Sequence, residues 1–178
     1  MVPLNSIIAV YETQRDAETG VRDLQLAGSD LKKVSILGRE HESVEHVAGI
    51  YNIGGRMKYW GARGSFWNEL WRLLAGAAAF AIPGIGRVLI AGPLTVWVVT
   101  ALEDPAAESL SAVGAGLHTI SVPRASIRRY ESAIKMHKLL LIAHGSVQEI
   151  LKSRDVLRGS RPEEIDVHFV DEETRSAA

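Results

Sequence analysis

The ring nitrogens able to bind metal or move a proton belong to six histidines: His41, His46, His118, His137, His144 and His168. None stands four residues from another, the spacing that puts two imidazoles on one helix face as zinc ligands, and His41 with His46 misses it by one. His144 ends one apolar run and His168 sits in another, so folding could bring them near each other, but a hydrogen-bonded structural role explains each more simply. The glycine strings Ile53-Gly54-Gly55 and Gly84-Ile85-Gly86 continue neither into G-K-S/T nor into G-x-G-x-x-G, and they read as turns. Glu103 and Asp104 are adjacent at a helix start, where capping accounts for them, and no G-x-S-x-G elbow is present. The sequence therefore predicts no catalytic residue, no metal ligand set and no cofactor.

The elements that would position any site must be built without covalent staples, because the 178 residues include no cysteine. Disulfides, thiolate chemistry and iron-sulfur clusters are excluded. Twenty Lys+Arg balance 21 Asp+Glu, a net charge of -1, so no overall field draws the chain to nucleic acid. The beginning, MVPLNSIIAVYE, has no basic stretch before its apolar run and no small-residue cleavage site, so a cytoplasmic location is expected.

SIIAVYE (Ser6 to Glu12) is a nearly unbroken apolar run, the pattern of a strand covered on both faces. Thr13 and Asp16 then start a helix whose face carries Ala17, Val21 and Leu24, with Gly28 at its end. Val34, Ile36 and Leu37 alternate partly with charge, as on a sheet edge or a half-exposed strand. After a long interruption the pattern resumes. A helix from Pro123 places Ile127, Tyr130, Ile134 and His137 on one side, with Glu131 and Lys135 as an ion pair on another. LLLIAH is a second continuous apolar strand, Ser146-Val147-Gln148-Glu149 is a capping box opening a further helix, and Ile165, Val167 and Phe169 alternate in a last strand. The expected fold is α+β: a ferredoxin-like βαβ…βαβ sandwich over residues 1–40 and 123–172, its two apolar strands central. A 41–122 insertion interrupts it, and 173–178 form a tail.

Within the insertion, residues 66–102 are apolar and rich in small residues, broken by Pro83, Gly84, Ile85 and Gly86, which predicts two helices folded into a hairpin. A small-residue helix over about 105–117, opened by Asp104-Pro105, follows. Ala75, Ala77, Ala79, Ala81 and Gly92 would let helices approach closely. Trp60, Trp67, Trp71 and Trp97, with Arg63 and Arg72, would form an interfacial anchor. Each half falls short of the roughly 20 residues that cross a bilayer. Two readings stand side by side: membrane association, or burial in a homo-oligomer or against a larger protein complex.

IPGIGRVLIAGPL (Ile82 to Leu94) and SVPRASIRRYESAIKMHKLLLIAHG (Ser121 to Gly145) resemble bacterial general-stress and heat-induced stress proteins, a family that pairs a ferredoxin-like domain with a glycine-zipper insertion. The resemblance runs over roughly Ile7 to Val170. It implies stress association and no established enzymatic activity. The expected protein is a non-enzymatic one that self-assembles and uses its hairpin for membrane or partner contact. The alternatives are a soluble ligand- or metal-binding regulatory module and an accessory subunit docked on a larger complex.

Overall fold

The computed structural model describes residues 4–39, 74, 77–103 and 110–170. Strand β1 (Asn5–Tyr11) carries apolar groups to both faces, Ile7, Ala9 and Tyr11 one way and Ile8 and Val10 the other, all buried. Helix α1 (Gln14–Leu26) follows at once, because the Thr13 hydroxyl accepts the Asp16 backbone N–H at 3.1 Å and donates to the Asp16 carboxylate at 2.8 Å. Ala17, Val21 and Leu24 form its buried face. Gly28, at φ 74°, turns the chain so that the Ser29 N–H reaches the Leu24 carbonyl at 2.9 Å.

The largest departure from the sequence reading begins after strand β2 (Val34–Arg39). Among the described residues, this run holds a β-hairpin, β3 (Ala77–Ile82) and β4 (Gly86–Ala91), followed by a helix, α2 (Leu94–Glu103), so Pro83 to Gly86 join two strands where two helices were expected. The breakers explain the correction. Pro83-Gly84, Gly86 and Gly92-Pro93 leave Gly86–Ala91 as a piece of 6 residues, too short to hold as an isolated helix. The turn falls at the predicted residues: Pro83 and Gly84, the latter at φ 79°, form the centre of a type II turn closed by the Ile85 N–H on the Ile82 carbonyl at 3.0 Å.

Strand β4 pairs with β2, Ile36 opposite Ala91 and Arg39 opposite Val88. Strand β2 is consequently interior and buried, not the edge its alternation suggested. The second half supplies α3 (Ala112–Thr119), α4 (Arg124–Lys135), β5 (Leu139–Gly145), α5 (Val147–Leu157) and β6 (Glu164–His168). Helix α3 starts later than the sequence indicated. Ser111 caps it, its hydroxyl accepting the Gly114 N–H at 2.9 Å, and Asp104-Pro105 lie outside the described residues. On α4, Ile127, Tyr130 and Ile134 are buried, but His137 lies past the helix end and is exposed. Glu131 accepts the Ser111 hydroxyl at 2.5 Å, so it ties α4 to the start of α3 where a link to Lys135 was expected. Helix α5 opens on the predicted capping box, with both Ser146–Glu149 hydrogen bonds present.

The six strands form one antiparallel sheet in the order β3-β4-β2-β5-β1-β6. Helices α1 and α5 cover one face with Val21, Leu24, Ile150 and Leu157, while α2, α3 and α4 cover the other with Val98, Leu117, Ile127 and Tyr130. The architecture is α+β with five helices among the described residues, and the β3–β4 hairpin is part of the main sheet.

Candidate functional site

At one end of the sheet three strands align the groups best suited to chemistry. Ser6 on β1 pairs with His144 on β5 and, on its other side, with His168 on β6. The two histidines are two strand spacings apart, roughly 10 Å, too far to ligate one metal ion. No group of three His, Cys, Asp or Glu able to hold a metal occurs among the described residues. Ser6 is fully buried and its hydroxyl donates to the Ile120 carbonyl at 2.7 Å, so it fixes the end of α3 to β1. Neither imidazole activates it.

The histidines have separate partners. His144 meets the edge of Trp97 on α2, ring centroids 5.0 Å apart, and burial pushes its pKa down. His168 is buried, and its Nε2 lies 2.7 Å from the Tyr130 hydroxyl on α4. Burial lowers the His168 pKa and raises that of the Tyr130 phenol, so a neutral imidazole accepting the phenol O–H is the favoured state.

Glu164, Asp166 and His168 alternate along β6 and share the face turned to α4. Arg129 on α4 joins the Asp166 carboxylate and approaches Glu164 Oε1 at 2.8 Å. The Glu164 contact is an ion pair without an aligned hydrogen bond, since that oxygen is buried and has no hydrogen-bond partner. Burial first, and then the neighbouring Asp166, push the Glu164 carboxyl up. Chemically the cluster is a closed set of mutual partners that can hold or release protons as pH changes.

Beside Trp97, α2 turns a second kind of surface outward. Val96 is 63 % exposed, Leu102 53 % and Val99 39 %, whereas Leu94 and Val98 on its inner side are fully buried.

Pro83, Gly84, Ile85 and Gly86 form the β3–β4 turn, with Ile85 buried in the core on the α2 side. Ala77, Ala79 and Ala81 lie on strand β3, so their expected role in helix packing is corrected: Ala77 and Ala79 pack against the core on the α1 side and Ala81 is exposed. Gly92 serves a strand-to-helix turn, not a helix contact; at φ 101°, a Cβ there would stand 2.2 Å from the Val34 carbonyl oxygen. Close helix approach occurs instead at α3. A Cβ on Gly116 would meet Val98 at 3.0 Å, and one on Gly114 would meet Ile127 at 2.9 Å. Of the expected anchor, Trp97 is half-buried; Trp60, Arg63, Trp67, Trp71 and Arg72 lie outside the described residues, as does Ala75. The sequence does not reveal the Tyr130–His168 pair. Its one sequence signal is the all-polar alternation of Glu164, Asp166 and His168.

These observations define an α+β domain with a single mixed-chemistry end and no assembled catalytic triad among its described residues. Residues 6–81 match the heat-induced stress protein YflT domain, consistent with a bacterial stress-protein family. The matched span stops within β3, before the motifs that carry the resemblance in the second half of the chain. No curated protein and no solved structure matches the chain. No helix among the described residues is long and apolar enough to cross a membrane.

Proposed function

We propose that this chain is a non-enzymatic, stress-associated module that assembles with a second copy of itself through the outer face of α2. The YflT match supports the stress association. The observation that carries the assembly reading is the concentration of exposed apolar groups, Val96, Val99 and Leu102, on one short helix whose inner side is already packed. Charge favours an antiparallel pairing. Glu103 sits at the C-terminal end of α2, unfavourably placed for its own helix dipole, and antiparallel pairing would bring it to the positive N-terminal end of the partner helix.

The core beneath this surface reads as ferredoxin-like. The strand order β2-β5-β1-β6, with β1 and β5 central and the crossovers α1 and α5 on one face, supports that reading. The second face, normally open in a two-layer sandwich, is covered here by α2, α3 and α4. Membrane association is the weaker reading because the turn expected to join two helices joins strands β3 and β4 of the sheet.

Light scattering on the full-length chain tests the proposal. The expected mass is twice 19.4 kDa, falling to 19.4 kDa when Val96→Glu and Val99→Glu are combined, with circular dichroism unchanged. A wild-type monomer at all concentrations overturns it.

A further inference from the structure

We propose that the Tyr130–His168 pair is an acid-sensitive latch that holds β6 on the edge of the sheet, and that mild acid releases this strand from β1. The proposal rests on how β6 is attached. On its α1 side, Ile165 and Val167 are only partly buried against the core. On its α4 side, every residue is polar: Glu164, Asp166 and His168. Contacts there consist of the Tyr130 hydroxyl on His168 Nε2 at 2.7 Å and of Arg129 with Asp166 and Glu164. Beyond these, the strand has its ladder to β1, the Lys138–Glu163 ion pair at its start and the Val170 N–H on Asn5 Oδ1 at its end.

The latch has a defined protonation requirement. Neutral His168 accepts the phenol O–H through Nε2. An imidazolium has no acceptor nitrogen, so it must donate to the phenol, and the phenol must turn its proton toward Asp166 Oδ2, which at 3.4 Å is too distant for a good O–H···O bond.

Burial, ahead of charge, keeps His168 neutral: of the charges facing it, Asp166 favours an added proton and the Arg129 guanidinium opposes one. Asp166 and Glu164 on its own strand are each engaged by Arg129 on α4, whose guanidinium also lies 5.1 Å from the Tyr130 ring centroid. Strand β1 offers opposite His168 only Ser6, whose hydroxyl is committed to Ile120. Once β6 leaves, His168 is hydrated and takes up a proton at its ordinary pKa, near 6.5, which holds the strand open.

Hydrogen exchange of the full-length protein at pH 7.5, 6.5 and 5.5, corrected for the intrinsic pH dependence, reads the latch directly. The amides of β6 should lose protection by up to about tenfold per pH unit below 6.5, the limit for one linked proton, while the β2–β5 ladder keeps its protection. His168→Gln should flatten that dependence. Tyr130→Phe, which keeps the ring, should lower β6 protection already at pH 7.5. The proposal is overturned if β6 protection follows the same pH profile in wild type and His168→Gln, or if Tyr130→Phe leaves it unchanged. It also falls if the His168 ring resonances of the folded wild type titrate at or above 6.5, a reading that stands should a variant fail to fold.

Discussion

The Leu94 backbone N–H, at the first turn of α2, donates to the hydroxyl of Ser35 on β2 at 3.0 Å, and the bond is buried. A strand residue thus caps a helix that begins 59 residues later, and Gly92 makes the contact possible by letting the backbone pass against Val34 and Ser35. Replacing Ser35 with alanine leaves a buried N–H unpaired and should cost about 1–3 kcal/mol. Gly92→Ala should cost at least about 3 kcal/mol, since a Cβ meets backbone and the φ of 101° is unfavourable for alanine. Urea denaturation of both variants checks the order. A Gly92→Ala protein as stable as Ser35→Ala would count against the close approach.

On the opposite face the equivalent close contact is Gly20 over Tyr11. The Tyr11 hydroxyl lies 2.6 Å from Ser160 Oγ, and a Cβ on Gly20 would stand 2.6 Å from that same hydroxyl. Tyr11→Phe should cost about 1 kcal/mol, because Ser160 still donates to the Leu157 carbonyl at 2.7 Å. Gly20→Ala should cost more alone, and part of that loss should return in the double variant, where the phenol oxygen is gone. Strict additivity of the two changes in a thermodynamic cycle would rule out the contact.

Stability should fall in mild acid. His144 and His168 have pKa values lowered by burial, so the unfolded chain binds protons that the folded one resists. Their full contribution is present above the unfolded value near 6.5 and is lost as pH drops toward the folded values. Denaturation midpoints should decline between pH 7 and 5.5, and His144→Gln should make the decline shallower. A flat profile across that interval would contradict the burial of both rings.

A second acid-sensitive group acts lower on the scale. Glu149 is brought down to about 2, first by its hydrogen bond with Lys33 and then by the capping-box hydrogen bonds with Ser146. A depressed carboxylate contributes above its unfolded pKa and loses that contribution as pH falls through the folded one, so the window runs from about 4.5 to about 2. Glu149→Gln should reduce the pH dependence there. Acid titration followed by circular dichroism separates the two windows.

The legible parts of this fold were those in which neighbouring residues repeat one message. SIIAVYE and LLLIAH read as central strands because apolar groups fill both faces, and Thr13, Gly28 and Ser146 mark helix ends through local hydrogen bonds. Residues 77–91 mislead because alanine-rich segments favour helix locally, while β4 is held as a strand by hydrogen bonds from β2, far away in sequence. Gly92-Pro93 is the break that separates β4 from α2. The polar cluster is harder still to read, since Tyr130 and His168 meet only after α4 and β6 are placed on the sheet.

The order of strands also sets when the molecule can assemble. Ile8 lies opposite Ile142 on one side and Asp166 on the other, so the first strand synthesised finds both neighbours only in the last third of the chain. Translation adds about 5–20 residues per second, and for the seconds until β5 emerges SIIAVY is an apolar strand with two open edges. Its safe passage depends on α1 folding back over one face early and on whatever shields nascent chains in the cell. Fast elongation or a ready chaperone should raise the folded yield more than any stabilising substitution in the finished domain.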